Sequence, residues 1–312
     1  MTAAETVRGW LRGAKAAHLA GVFTRLGIAD LIGAGENTLG ALARAGDMAP
    51  DRMIRLLRGF TDLGLCAEDE PEVFTLTETG AALGAGGPLY DLVLTSTDPV
   101  TERAWSALEA GARSGRGGFY ETFGKSIFEY LDGDPEWRER YDRFMGGHTT
   151  TIAEEVGEYH DFGRYRTAVD VGGGDGTLLA VLSRRYPRLR GRVFDRADGD
   201  FLREVPAGAD VYLLKWILHD WPDDDAGTIL RTCHAAMPAH GRLLVVERIL
   251  PERAAPGAPR DPELSDLHML TVYGGKERTR AEFERLCARA GLAVELVTPL
   301  PSGMSLIEAV PV

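Results

Sequence analysis

Residues 213–221 contain a lysine, a histidine and an aspartate among apolar residues, and they follow a glycine-rich segment at residues 170–176. The apolar run before Lys215 predicts a buried strand, which places His219 just beyond its carboxyl end. Open α/β sheets bind ligands in the crevice outside the carboxyl ends of their strands. Because imidazole titrates near neutral pH, His219 is a candidate proton acceptor beside a bound ligand.

The glycine-rich segment follows an apolar strand pattern and precedes a helical one. Glycines allow a tight turn and let a ligand approach bare backbone amides. A dinucleotide fingerprint would have glycine at position 177, where this chain has Thr177, so the pattern disfavours a nicotinamide cofactor. Asp195, at the end of the next predicted strand, has the charge to accept hydrogen bonds from a ribose, although a surface carboxylate is the simpler interpretation.

The periodicity of the chain changes near residue 165. Helical spacing over residues 6–32, helices starting at Thr38 and Asp51, and strand-like runs at residues 65–68 and 73–76 are typical of a helical, winged-helix front domain. From Thr167 onward, strand and helix patterns alternate, which predicts α/β architecture with a parallel sheet. We therefore expect a front domain at 1–90, a helical connector that contributes to a substrate pocket at 91–164, and a Rossmann-like domain at 165–312.

Composition limits the partners. The chain of 312 residues has 35 Lys plus Arg against 47 Asp plus Glu, a net charge of -12, so we expect it to repel nucleic acid and anionic membranes. The three cysteines show no metal-ligand spacing, and we expect no metal site. No window approaches the ~18 apolar residues of a membrane span, and the start lacks a signal-peptide pattern, so we expect a cytoplasmic protein.

Six motifs together make the pattern specific. They are DVGGGDG from Asp170, FD at Phe194, GDF from Gly199, LLKWILHDW from Leu213, VVERILPE from Val245 and GGKERT from Gly274. Their order resembles that of the S-adenosylmethionine-dependent small-molecule O-methyltransferases of plants and of bacterial natural-product pathways, and the resemblance extends over nearly the whole chain. It implies a Rossmann-like class I methyltransferase domain behind a winged-helix dimerisation domain.

The resemblance also assigns roles to individual residues. It implies that the cofactor is held by Gly172 and Gly174 at its amino-acid part, Asp195 at its ribose, Asp200 and Phe201 at its adenine, and Lys215 at a further contact. It implies a catalytic group in which His219 is the general base, Glu247 and Glu277 flank and orient it, and Asp220 lies beside it. It further implies a small aromatic hydroxyl substrate and a homodimer formed through the front helices.

The chemistry of these residue types agrees with that assignment. A phenol with a pKa near ~10 is protonated at neutral pH, whereas an unperturbed imidazole near ~6.5 is mostly free to take the proton. A carboxylate on the second ring nitrogen, such as Glu247 or Glu277, would fix the tautomer and stabilise the imidazolium. Since a sulfonium carries its own leaving group, the transfer requires no metal.

One segment departs from the family pattern. Only Arg196, Ala197 and Asp198 lie between Asp195 and Gly199, where the family has a helix and a strand. We expect a six-stranded sheet without this helix–strand unit, which in the family forms one wall of the adenine pocket.

Two alternative functions stay open: a family member that catalyses another reaction, such as hydroxylation, decarboxylation or rearrangement, and a non-enzymatic winged-helix regulator that senses a ligand. The retained His219, Glu247 and Glu277 argue against the first, and the net charge argues against the second.

Overall fold

The computed structural model describes residues 2–254 and 262–312. The chain divides into two compact units, Met1–Glu102 and Arg103–Val312. The first unit consists of helices and one strand pair: α1 (Ala3–Arg25), α2 (Ile28–Gly33), α3 (Leu39–Ala45), α4 (Pro50–Asp62), β1 (Cys66–Glu70), β2 (Val73–Leu76), α5 (Glu78–Ala81) and α6 (Tyr90–Ser96). Helix α7 (Pro99–Ser106) begins in this unit and ends in the second.

Local sequence signals explain the helix starts of the first unit. The Thr38 hydroxyl accepts a hydrogen bond from the Ala41 amide, which confirms the predicted helix start there, and the Thr77 hydroxyl caps α5 in the same way by accepting from the Gly80 amide. Helix α4 begins at Pro50 rather than at Asp51, because proline has the φ of a first helical residue and no amide hydrogen to satisfy. Strands β1 and β2 pair in antiparallel fashion over a core that includes Phe23, Leu42, Met53, Leu57, Phe60 and Phe74.

The second unit continues with helices and then forms the main sheet. Its helices are α8 (Leu108–Ser114), α9 (Gly118–Phe123), α10 (Ile127–Asp132), α11 (Pro135–Tyr159), α12 (Thr177–Arg185), α13 (Asp223–Ala236), α14 (Pro262–His268) and α15 (Arg280–Arg289). Its strands are β3 (Thr167–Val171), β4 (Arg190–Phe194), β5 (Val211–Lys215), β6 (Arg242–Glu247), β7 (Ile249–Leu250), β8 (Arg278–Thr279), β9 (Leu292–Pro299) and β10 (Ser305–Pro311). Short 3-10 helices span Phe162–Arg164 and Leu218–Asp220, and a π-helix spans Met269–Tyr273.

The described residues form a six-stranded sheet of order β4-β3-β5-β6-β10-β9, as expected. Strands β4, β3, β5 and β6 are parallel, which confirms the alternating pattern. Strands β9 and β10, which the pattern did not predict, are antiparallel and make the sheet mixed. Both faces are buried: Tyr212 and Leu214 of β5 belong to one apolar cluster, whereas Leu213 belongs to the other.

Strand β4 lies at an edge of this sheet because the connection after it is short. The Asp198 amide donates to the Asp195 carbonyl at 2.7 Å, which closes a tight turn. Gly199 then crosses the end of the strand, where a side chain would lie 2.9 Å from the ring of Phe194. Arg190 and Arg192 are exposed on the strand. Charges on an open edge disfavour pairing with another strand, so they protect the edge that the short connection leaves uncovered.

Within residues 2–254 and 262–312, no helix has the length and apolar character needed to cross a membrane.

Candidate active site

The four predicted catalytic residues lie together at the carboxyl end of the parallel strands. His219 is in the short helix that follows β5, and its side chain is buried. Its Nδ1 atom lies 3.3 Å from Oε2 of Glu247 and 3.4 Å from Oε1 of Glu277. Its Nε2 atom lies 3.5 Å from Oδ1 of Asp220. The imidazole therefore has carboxylates on both of its nitrogens.

This charge environment changes the basicity of the imidazole. Burial alone would lower the pKa of His219, but Glu247, Asp220 and Glu277 together raise it to about 9. Burial raises the pKa of Asp220 to about 7, against the opposing effect of His219. The expectation of an ordinary imidazole pKa is therefore wrong for the free protein. The reason is physical: the expectation took the unperturbed value and left out three buried acidic neighbours.

Glu247 also organises the backbone beneath His219. Its Oε1 atom accepts hydrogen bonds from the amides of Ile217, Leu218 and His219, at 3.1, 2.9 and 3.3 Å. Glu247 ends strand β6 and is fully buried, so its carboxylate replaces the missing backbone partners of the short helix. One oxygen of Glu247 thus holds the loop, and the other faces the imidazole.

Arg278 has a structural role that the sequence analysis missed. This fully buried residue donates to the carbonyls of Leu218 at 2.7 Å and Trp221 at 2.8 Å, and it pairs with Asp223 at 2.9 Å. The guanidinium therefore spans both ends of the loop that contains His219. The only sequence signal was its place in the GGKERT motif, next to Glu277.

Gly275 of the same motif touches the loop from the other side. A side chain there would overlap the carbonyl oxygen of His219. We expect Gly275→Ala to displace His219 and to lower the catalytic rate by about 10²-fold, since a small misplacement of a reacting group has an effect of that size. Initial rates test this expectation. Gly147→Ala is the matched control because no atom lies near its added methyl group, and equal rates for the two variants would contradict the expectation.

The glycine turn forms the second half of the site. Gly172, Gly174 and Gly176 have φ values of 72°, 55° and 80°, which favour glycine. A side chain on Gly172 would overlap that of Ile217, so the turn is a cradle that only a bare backbone leaves open. The Gly174 amide donates to Oδ2 of Asp195 at 2.8 Å. Carboxylate oxygens accept several bonds, so Asp195 keeps acceptor capacity toward a ligand.

The remaining predicted cofactor residues divide into two groups. Phe201 and Lys215 are both close to the glycine turn. The ring of Phe201 lies 3.9 Å from where a Cβ atom on Gly172 would be. Lys215 is the last residue of β5, which pairs with β3, the strand that precedes the turn. Nζ of Lys215 donates to the Thr149 hydroxyl at 2.9 Å, and burial lowers the pKa of this amine to about 8. Asp200, in contrast, is half exposed and pairs with Arg203 at 3.3 Å.

Asp170 is a further residue of the turn to which the sequence analysis gave no role. Its side chain is fully buried and lies against Gly173, and Oδ2 has no hydrogen-bond partner among the described residues. Burial raises the pKa of this carboxyl to about 7. An unpaired buried acid is costly unless a partner arrives. The site therefore suits a cofactor that brings a positively charged amine to the turn, as S-adenosylmethionine does.

These two halves are typical of one class of protein: an α/β enzyme with a ligand-binding glycine turn and a buried histidine–carboxylate group beside it. Residues 105–293 match the O-methyltransferase domain family. The phenazine O-methyltransferase of Lysobacter antibioticus is 37% identical, over 93% of this chain and 91% of the relative. The structure of the mitomycin 7-O-methyltransferase superposes with a TM-score of 0.92 at 33% identity, covering 99% of this chain and 98% of the other.

A third similar protein was solved with ligands. It is an O-methyltransferase of neocarzinostatin biosynthesis in complex with S-adenosylmethionine and 2-hydroxy-5-methyl naphthoic acid, with a TM-score of 0.82 at 31% identity over 95% of this chain and 96% of the other. The chain therefore belongs to the O-methyltransferase family and has the class I methyltransferase fold. It is an S-adenosylmethionine-dependent O-methyltransferase, which confirms the predicted family, activity and cofactor and disfavours both alternatives.

Proposed function

We propose that the protein methylates a hydroxyl of a small aromatic compound and that His219 is the general base. The buried imidazole with carboxylates on both nitrogens is the observation that carries this proposal. The names of relatives support the substrate class, since they include a phenazine O-methyltransferase and a dihydroxy-naphthoate 7-O-methyltransferase.

The chain's own residues prepare the acceptor oxygen. S-adenosylmethionine, when bound, supplies the methyl group on a sulfonium whose thioether is the leaving group. Glu247 and Glu277 keep a hydrogen on Nδ1 of His219, which leaves the lone pair of Nε2 as proton acceptor. A pKa of about 9 lies near the ~10 of a phenol, so transfer of the phenol proton to Nε2 is nearly balanced in energy. Asp220 lies beside Nε2 and stabilises the imidazolium that forms.

The activity should depend on pH through His219. Because its pKa is raised, the imidazole of the free protein is protonated at neutral pH and loses its proton only as the pH rises through about 9. We expect kcat/KM for the acceptor to increase from neutral pH toward about 9 and then to level. A pH–rate profile measures this, with unfolding checked at each pH. A rate that falls over this interval would exclude an imidazole base.

We also propose that Gly172, Gly174, Asp195, Asp200, Phe201 and Lys215 bind the cofactor and that Asp170 acts with them. Asp170→Asn replaces a buried carboxylate whose Oδ2 has no hydrogen-bond partner among the described residues, so we expect it to weaken binding of S-adenosylhomocysteine by about 10- to 100-fold. Asp200→Asn is the matched comparison, and its exposed, paired side chain should contribute about 5-fold at most. Calorimetric titration measures both, and unchanged affinity in Asp170→Asn would refute this role.

The front unit is proposed to be a winged-helix dimerisation domain. Helices α3 and α4 followed by the β1–β2 hairpin have the order of a winged helix. The side chains of Trp10 and Leu11 on helix α1 are 70% and 63% exposed, and a homodimer would cover such apolar side chains.

We propose the same functional segments for the whole chain as the sequence predicts: dimerisation at 1–90, a substrate-pocket connector at 91–164 and catalysis at 165–312. The three free, buried cysteines support our proposal of a cytoplasmic location.

The dimer proposal can be tested by sedimentation. We expect the wild-type protein to be a dimer at micromolar concentration, and the double substitution Trp10→Ser and Leu11→Ser to shift it toward monomer because it removes the apolar contact. Lys15→Ser changes another exposed residue of the same helix and should leave the dimer intact. A monomeric wild-type protein would refute the proposal.

A further inference from the structure

Two tyrosine hydroxyls meet close to the catalytic group. The hydroxyl of Tyr141, on α11, lies 2.8 Å from that of Tyr273, the last residue of the π-helix. Both side chains are partly buried, and neither hydroxyl has another hydrogen-bond partner among the described residues. A π-helix is rare and is often found at functional sites, because it moves a side chain away from its usual helical position.

The hydrogens of this pair can be counted. Burial raises the pKa of Tyr141 well above its usual value and also raises that of Tyr273, and the Asp220 carboxyl acts in the same direction on both. Both phenols are therefore neutral and carry one hydrogen each. One hydrogen forms the bond between the two oxygens. The other remains as an O–H donor that no described protein group accepts.

Aromatic rings surround the pair and connect it to the base. Trp137 stacks on Tyr141 with ring centres 6.1 Å apart, and Phe128 lies 5.9 Å from the ring of Tyr273. His268 also lies 5.9 Å from Tyr273, and burial together with the nearby His219 lowers the pKa of His268 to about 4. The donor thus lies among aromatic rings and within electrostatic reach of Asp220, and such surroundings suit a flat aromatic ligand.

We propose that the Tyr141–Tyr273 pair recognises a second, neutral oxygen on the methyl acceptor, so that the preferred substrate is a planar aromatic hydroxyl compound with a carbonyl, quinone or ether oxygen. A donor requires an oxygen with a free lone pair. A carboxylate is disfavoured, because the acidic cluster of Asp220, Glu247 and Glu277 lies close by. This proposal deepens the proposed function and depends on it.

The test uses naphthols as probes. The first set consists of naphthols with no group other than the hydroxyl. The second set carries an acetyl group and the third a carboxylate, placed in turn at every free position of the ring that lacks the hydroxyl. Calorimetry measures binding to the complex of the protein with S-adenosylhomocysteine. For the wild type we expect the best acetyl naphthol to bind about 3- to 10-fold more tightly than its parent, the gain of one hydrogen bond, and the carboxylates to show no gain.

Variants assign the gain to the tyrosine pair. The double variant Tyr141→Phe, Tyr273→Phe removes both hydroxyls and should bind acetyl and parent naphthols equally. Each single variant leaves one hydroxyl, and the variant that lacks the hydroxyl in contact with the ligand should lose the preference. Tyr130→Phe is the matched control, since Tyr130 packs on Phe119 and Phe123 and has no role in the pair. Thermal melting and affinity for S-adenosylhomocysteine establish that the variants are folded.

The outcomes separate this inference from the proposed function. Methyl transfer from labelled cofactor is measured on the same naphthols. If naphthols are methylated but the acetyl group gives no gain in the wild type, or if the gain survives in the double variant, the inference about the tyrosines is overturned and the proposed function stands. If the acetyl preference depends on the tyrosines but no naphthol is methylated, the pair is a recognition site and the proposed function fails on these acceptors.

Discussion

His219→Asn is expected to lower kcat for methyl transfer by about 10²–10⁴-fold, the range over which a positioned general base accelerates a reaction. The amide of asparagine can still donate to Oε1 of Glu277, the hydrogen-bond partner of Nδ1 in His219, but it offers no basic atom at the position of Nε2. The glycine turn does not depend on this side chain, so affinity for S-adenosylhomocysteine should be unchanged. Initial rates and calorimetry measure the two quantities.

A matched histidine controls for this substitution. His240 is exposed and pairs with Asp210, so His240→Asn removes an imidazole elsewhere in the same unit and should leave kcat unchanged. The pH dependence adds a second readout. In His219→Asn the increase of rate toward pH about 9 should disappear together with the group that titrates there. A variant that keeps both its rate and its pH profile would remove His219 from the mechanism.

Glu247→Gln is expected to cause the second large loss of kcat. The reason is the orientation that the side-chain amide of the introduced glutamine has to adopt. Three backbone N–H groups require an acceptor at the position of Oε1, so the glutamine oxygen must lie there. Its NH₂ group then takes the position of Oε2 and faces Nδ1 of His219, 3.3 Å away. Nδ1 then faces this new donor beside the Glu277 carboxylate, which destabilises the tautomer with its hydrogen on Nδ1 and favours the one with hydrogen on Nε2. A base held in the wrong tautomer loses about 10⁴-fold in rate, and we expect a loss of up to that size.

Glu277→Gln is the matched control for this argument. Oε1 of Glu277 accepts from the Ser265 hydroxyl at 3.0 Å and faces Nδ1, while Oε2 has no hydrogen-bond partner among the described residues. A glutamine can keep its oxygen at Oε1 and turn its NH₂ group away, so the tautomer is retained. We expect a loss of about 10-fold from the missing charge. Equal losses in the two glutamine variants would contradict the tautomer explanation.

The sequence was sufficient to bring His219 and Glu247 of the proposed catalytic group together, because they come from separate motifs on strands that a parallel sheet can place side by side. His219 follows β5 and Glu247 ends the neighbouring β6, so their proximity follows from strand order alone. Glu277 belongs to a motif that the strand pattern does not connect to β5 or β6. Only the family resemblance placed it beside His219. The six strands were predictable only together with the family resemblance, because a connection of three residues between Asp195 and Gly199 removes one strand from the family's sheet.

Other features depend on packing that a sequence does not display. The raised pKa of His219 results from three buried carboxyls acting at once, and no motif gives their distances. The second role of Glu247, as acceptor for three amides, depends on where the loop after β5 turns. Arg278 and Asp170 lie inside recognisable motifs. Only the structure shows that Arg278 donates to the loop and that Oδ2 of Asp170 lacks a hydrogen-bond partner among the described residues. The Tyr141–Tyr273 contact joins two distant helices, and spacing cannot predict it.

The most direct test of the account is methyl transfer from labelled S-adenosylmethionine to a panel of aromatic hydroxyl compounds, with the wild type and His219→Asn measured side by side. The account predicts an oxygen-methylated product with the wild type and about 10²–10⁴-fold less with the variant, at equal affinity for S-adenosylhomocysteine. Equal product from both proteins, or none from a wild type that binds S-adenosylhomocysteine, would contradict it.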